Sequence, residues 1–230
     1  PRALPLLEKL RTLRPDLPAA LSNLANAHRI LGQLPAAIEA SRAALAIDPN
    51  LAETHSNLAL SLRDLGERAG ARHHLREALR LQPTHGNARS TLAMLDLLEG
   101  DFAAGWPGYE YRWASNEMRP RQLPMPAWQG EPLAGRHLFV HAEQGHGDTI
   151  HMARYLPLLA QRGARVTCEA QPALLGLLRQ SLPGITFVAR GTAPPAADLQ
   201  VPLLSLPHRF ATTLESIPAA VPYLSATAET

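Results

Sequence analysis

The polar and apolar positions of the first hundred residues repeat with a period far longer than a helical turn. Gly32, Gly66 and Gly100 lie 34 residues apart, as do Pro15, Pro49 and Pro83. Leu24, Leu58 and Leu92 keep the same spacing, each followed by an alanine at 25, 59 and 93. Ala37 matches Ala71, and Ala44-Leu45 matches Ala78-Leu79. Within each period the apolar residues recur at helical spacing, which predicts two amphipathic helices per unit. These fall at 19–31 and 35–47 in the first unit, and at 53–65 and 69–81 in the second. The glycine ends the first helix of each pair because a left-handed turn costs glycine little. The proline blocks continuation of the second helix. The small alanines let the paired helices approach closely.

These positions resemble the tetratricopeptide repeat, and the period is that of the family. A partial repeat spans 3–15 and reads as a second helix whose first helix is missing. Full repeats span 18–51 and 52–85. A modified third covers 86–113, where Trp106, Tyr109, Tyr111 and Trp113 replace the expected small residues. A stacked unit cannot bury its face alone, so this aromatic helix is expected to cap the stack and dock it onto the next domain. The alternative, a platform for carbohydrate stacking, is weaker, because helical spacing in a terminal repeat favours core. The resemblance implies that the first helix of each pair lines a concave groove. There Asn23 and Asn57 share one register, broken at Thr91. They resemble the asparagine ladder of the repeat domain in protein O-linked N-acetylglucosamine transferases, which implies capture of an extended peptide backbone. A side-chain amide offers both donor and acceptor to a peptide bond. Arg29 and Arg63 also repeat and are expected to add charge along the groove. His73-His74 reads as a solvated pair on a repeat helix.

After Trp113 the helical period vanishes. Prolines at 120, 124, 126 and 132 and glycines at 130 and 135 mark 114–136 as an ordered linker, with Trp128 as its anchor. The segment 137–230 then alternates strand and helix. Strands are expected at 137–142, 165–169, 186–189 and 198–202, and helices at 149–162, 172–182 and 205–216. The expected fold is therefore a repeat α-solenoid (1–113) followed by a Rossmann-like parallel-sheet domain.

Ligands of open parallel sheets sit beyond the carboxyl ends of the strands. The first such end is the loop 143–148. Its glycines, Gly145 and Gly147, permit close backbone approach, and a helix starting near Asp148 or Thr149 offers free N–H groups to an anion. The third glycine of a dinucleotide fingerprint is absent, and no Gly-Lys-Ser/Thr follows, which argues against NAD and ATP. His141, His146, Asp148 and His151 do not make a metal site, because a spacing of five leaves His146 and His151 off a common helical face.

The string His141-Ala142-Glu143-Gln144-Gly145-His146-Gly147-Asp148-Thr149-Ile150, then Ala153-Arg154-Tyr155-Leu156-Pro157, resembles the start of bacterial glycosyltransferases of the lipopolysaccharide heptosyltransferase type (glycosyltransferase family 9). The resemblance covers 106–224, including Leu-Leu-Ser-Leu-Pro at 203–207. It implies the acceptor-side half of a GT-B fold and a nucleotide-sugar donor for the intact enzyme. It also implies metal-independent inversion with Asp148 as general base. Gly145, His146, Gly147 and Thr149 would shape the acceptor and anion loop, with a glycan or protein as acceptor. Read without the family, Asp148 equally suits a helix cap. The chain opens on Pro1 inside a repeat and stops at Thr230, so it reads as a fragment lacking the donor half. Such a fragment is expected to bind no cofactor, to be inactive alone, and to be prone to self-association through its truncated α/β domain. The competing expectation is a non-catalytic adaptor whose α/β domain is a retired transferase fold.

Composition narrows these readings only a little. The net charge is +2 and the arginines are dispersed, so the clustered basic surface that nucleic-acid binding needs is missing. Cys168 is the single cysteine, which excludes an intrachain disulfide and a cysteine-based zinc site. It is expected to be a buried small hydrophobe on the second strand. No apolar run reaches the roughly 18 residues of a membrane span. The resemblance implies a cytoplasmic protein, with the surface of the inner membrane as the alternative.

Overall fold

The fold is described from a computed structural model covering residues 3–114 and 119–226. Residues 1–2, 115–118 and 227–230 lie outside the described residues. They include the opening Pro1, part of the linker expected over 114–136 and the end of the expected 137–230 domain. The chain divides into two compact units, 1–120 and 121–230.

The first unit is all helical. Its helices are α1 (Leu4–Leu13), α2 (Pro18–Ile30), α3 (Leu34–Ile47), α4 (Ala52–Asp64), α5 (Arg68–Leu81), α6 (Gly86–Leu98) and α7 (Phe102–Tyr109), followed by a 3-10 turn, Glu110–Ala114. The first helix of each pair ends in the same way. Gly32, Gly66 and Gly100 have φ of +74°, +89° and +86°. The next N–H then reaches back across the turn, from Gln33 to His28 O, from Glu67 to Leu62 O and from Asp101 to Asp96 O, at 2.8–2.9 Å. This six-to-one bond satisfies a carbonyl that the helix end would otherwise leave open. Between the paired helices Ala25, Ala59, Ala37, Ala71, Ala44 and Ala78 are all buried. Helix α1 has no buried residue, and Leu6 and Leu13 stand 71% and 66% exposed.

The third pair corrects the expectation that aromatics displace the small residues. Gly105 occupies the register of Ala37 and Ala71, and a Cβ there would lie 2.6 Å from the Leu97 side chain. A Cβ on Gly108 would lie 2.7 Å from Ala93 Cβ. Helix α7 thus approaches α6 more closely than alanine allows, and the aromatics flank that seam. The true departure is Arg112, buried in the register of Ala44 and Ala78. Its guanidinium donates to Glu110 at 2.7 Å and lies over the rings of Tyr109 and Trp113 at 4.8 and 4.6 Å. Cation–π contact and an ion pair together offset the cost of burying the charge. A second correction concerns His74, which is half-buried and paired with His55 of α4.

The second unit contains a small parallel sheet. Its strands are β1 (His137–His141), β2 (Arg165–Ala170), β3 (Thr186–Ala189) and β4 (Leu199–Pro202), in the order β3-β2-β1-β4. Residues 126–128 run along the outer edge of β4. Gln200 N–H donates to Pro126 O, and Trp128 N–H donates to Gln200 O. Trp128 is fully buried, edge-on to Phe210, with its indole N–H on Glu131 O.

Register sorts the strand residues into two unlike faces. Leu138, Val140, Val166, Cys168, Phe187, Leu199 and Val201 share an apolar one. His137, Phe139, His141, Thr167, Glu169 and Gln200 share the other. Its polar groups pair across the strands, His137 with Thr167 and His141 with Gln200, both at 2.9 Å. Glu169 is 1% exposed and takes a 2.6 Å bond from Arg121.

The helices between the strands are shorter than expected. In place of one helix over 149–162, α8 (His146–Met152) and α9 (Leu156–Gln161) flank a 3-10 turn, Ala153–Tyr155. Pro157 lacks the N–H that would continue a single α-helix through this point. Helix α10 is Leu175–Ser181 after a 3-10 turn at Pro172–Leu174. The helix expected over 205–216 is only α11 (Leu206–Arg209), ending where Ala211 adopts φ +48°.

Candidate functional sites

The repeat unit carries a cleft of about 700 Å³ between the start of α2, the turn joining α3 to α4, the first turn of α4 and the end of α5. Polar side chains line it at Ser22, Asn23, Asn50, Glu53, Thr54 and Gln82, while apolar atoms, those of Leu51 and Leu81 among them, supply the larger share of its surface. Each group is placed by the repeat. Thr54 donates to Ser22 at 2.8 Å, tying α4 to α2. Asn50 N–H is held by Asp48 at 2.9 Å, which shapes the turn. Glu53 receives the Nε2–H of His85 at 3.0 Å, and this bond holds its carboxyl below the usual range. His85 is itself fixed, because its Nδ1 accepts from Ala88 N–H and caps α6.

Of the residues expected in the groove, Asn23 alone lines this cleft. Asn57 holds the same register in α4 but is buried. Arg29 donates to Asn26 at 3.1 Å, and Arg63 donates to Asp64 at 2.7 Å. Glu53, His85, Asn50 and Gln82 carry no signal in the 34-residue period. Only their convergence in space singles them out.

Next to the cleft, His55 and His74 face each other with Nδ1 atoms 3.0 Å apart. His55 Nε2 lies 3.1 Å from Pro49 O. A carbonyl only accepts, so His55 carries its proton on Nε2 and receives the Nδ1–H of His74. Burial, then His55, His73 and Arg42, push the His74 pKa down to about 4, against a smaller opposing effect of Glu77.

In the second unit, the expected loop residues form the first turn of α8. Gly145 is its N-cap in extended conformation, and Asp148 Oδ2 accepts from Gly145 N–H at 3.0 Å. Asp148 therefore acts as a helix cap in this structure. Thr149 is buried and donates to Gly145 O, whereas His146 and Gly147 are exposed. Gln171 and Arg190 hold the preceding backbone through Gln144 O, at 2.9 and 3.2 Å. Burial and the neighbouring Arg154 lower the His151 pKa against the opposing effect of Asp148. Among the described residues, no three His, Cys, Asp or Glu side chains converge as a metal site.

Comparison with known proteins places the repeats. Residues 25–66 match the family model described as TPR repeat, and residues 52–85 match the one described as Tetratricopeptide repeat. The chain is 36% identical over 67 residues to Protein FlbA of Caulobacter vibrioides (strain ATCC 19089 / CIP 103742 / CB 15), a match covering 28% of this chain. That match spans 11% of FlbA. Among solved structures, a MamA protein superimposes with TM-score 0.44 at 20% identity, covering 49% of this chain and 61% of that one. TTC0263, a thermophilic TPR protein in Thermus thermophilus, gives TM-score 0.43 at 26% identity, covering 50% and 64%. The chain thus spans a small part of FlbA and under two thirds of these structures. It carries tetratricopeptide repeats, followed by a small region of parallel sheet. Among the described residues, no helix is long and apolar enough to cross a membrane.

Proposed function

We propose that the repeats hold an extended peptide segment of a partner protein in the cleft between α2, α4 and α5. The observation that carries this reading is the cleft itself, large enough for several residues, with the amide and hydroxyl groups of Asn23, Asn50, Gln82 and Ser22 set among apolar surface. Amides pair with both halves of a peptide bond, so such a wall reads backbone more than sequence. The Ser22 hydroxyl and the backbone of Asn50 are fixed before binding by bonds to Thr54 and Asp48, which lowers the ordering cost of association. Arg29, Arg63 and Asn57 lie outside this cleft and are assigned to the flanks of the groove. The test is titration of a peptide, selected from a random library on the immobilised chain, against the wild type and Asn23→Ala. Several-fold weaker binding by the variant supports the reading; equal affinity refutes it.

A second reading applies to the sheet region: the acceptor-side half of a GT-B transferase, with Asp148 as base and Gly145, His146, Gly147 and Thr149 around the acceptor. Its support is the all-parallel order β3-β2-β1-β4, with these residues at the carboxyl end of β1. An aspartate that caps its helix through one oxygen keeps the other for a proton. Sugar transfer from a panel of nucleotide-sugars, followed by mass spectrometry, tests it. Transfer that survives Asp148→Asn unchanged rejects the assignment.

A further inference from the structure

Glu53 is the one charged side chain among the described residues lining the cleft. It is 64% exposed, yet its orientation is fixed from below by a buried group. His85 is 6% exposed and spends its Nδ1 lone pair on Ala88 N–H, so its remaining N–H has one direction to point. That N–H meets Glu53 Oε2, so the carboxylate that lines the cleft keeps Oε1 as an acceptor for a ligand. The bond also favours the ionised carboxyl, lowering its pKa below the ordinary glutamate value. No cation of the cleft lining neutralises it: Arg29 and Arg63 are turned to Asn26 and Asp64. An anion oriented by a buried imidazole N–H and, among the described residues, paired with no lysine or arginine is a recognition element for a cation.

We infer that the cleft selects peptides carrying a lysine or arginine, whose charged end pairs with Glu53. This rests on the reading of the cleft as the peptide site. The amide wall supplies affinity that tolerates sequence, and Glu53 supplies the preference. Glu53→Gln is a clean probe, because the amide oxygen still accepts from His85 while the charge is removed.

The experiment selects peptides from a random phage-displayed library on the immobilised chain, then titrates them into wild type, Glu53→Gln and Asn23→Ala at low and high salt. The expected result is enrichment of one basic position, with affinity for those peptides falling about tenfold in Glu53→Gln, the scale of one charge-assisted hydrogen bond. Asn23→Ala weakens basic and neutral peptides alike. Enriched peptides that lack a basic position, or basic peptides indifferent to Glu53→Gln, overturn the inference while the peptide reading stands. No enrichment at all overturns both.

Discussion

Acid should loosen the second repeat through a single histidine. The His55–His74 bond uses the lone pair of His55 Nδ1 as acceptor and the Nδ1–H of His74 as donor, and it holds His74 half-buried against a second imidazole. In the unfolded chain His74 titrates near its ordinary value of 6.5, whereas in the folded repeat it is pushed down to about 4. Between those two values the unfolded chain binds more protons, so stability falls as pH drops through that window and is fully present above it. A lowering of this size corresponds to about 3.4 kcal/mol for a wholly buried ring. His74 is half-exposed, and solvent screening reduces the expectation to about 1–2 kcal/mol. His74→Gln provides the reference, because its amide can still donate to His55 but does not titrate. Urea unfolding of both proteins at pH 7.5 and 4.5 isolates the effect of His74 and its charged neighbours, since titratable groups remote from it contribute equally to each. The wild type should lose about 1–2 kcal/mol more than the variant over this range. Equal losses would refute the pairing.

Other substitutions and one reaction probe particular packing. A Cβ at Gly86 would lie 2.3 Å from Ala114 O, a backbone atom, so Gly86→Ala should destabilise the repeat unit by about 1–3 kcal/mol in chemical denaturation. Gly147→Ala, where a Cβ meets nothing, should be neutral or slightly stabilising. Removing the partner of a buried carboxylate is costly, so Arg121→Ala should lower the stability of the sheet unit by about 3 kcal/mol or less, given the partial exposure of Arg121. Arg121→Ala with Glu169→Gln should recover part of that loss. Burial raises the Cys168 thiol well above its usual range, so a thiol reagent should fail on the native chain and react fully in denaturant.

The sequence carried the architecture further than the chemistry. The period of 34 located the four helices of the two full repeats to within about one residue, because the glycine turns and alanine seams are local requirements. The strands were equally legible as short apolar runs between turn residues. What periodicity hid were pairings between positions far apart in the chain. Glu53 and His85 are 32 residues apart and meet only because one repeat stacks on the next. His74 looked solvated because its own helix gives no sign of His55 across the seam. The polar face of the sheet was invisible for a similar reason: His137, Thr167 and Gln200 become neighbours only through strand register. Helix lengths were overestimated around Pro157 and beyond Arg209, where local breaks override a plausible apolar pattern. Asp148 was readable as a cap from its place beside Gly145.

The central claim is that the cleft between α2, α4 and α5 holds the partner. Amide chemical-shift mapping of the nitrogen-15-labelled chain, titrated with a library-selected peptide, tests it most directly. The largest shifts should cluster at Ser22, Asn23, Asn50 to Thr54 and Gln82. Saturating binding with those amides unmoved, and shifts concentrated instead around Gly145 to Thr149 or along α1, would contradict it.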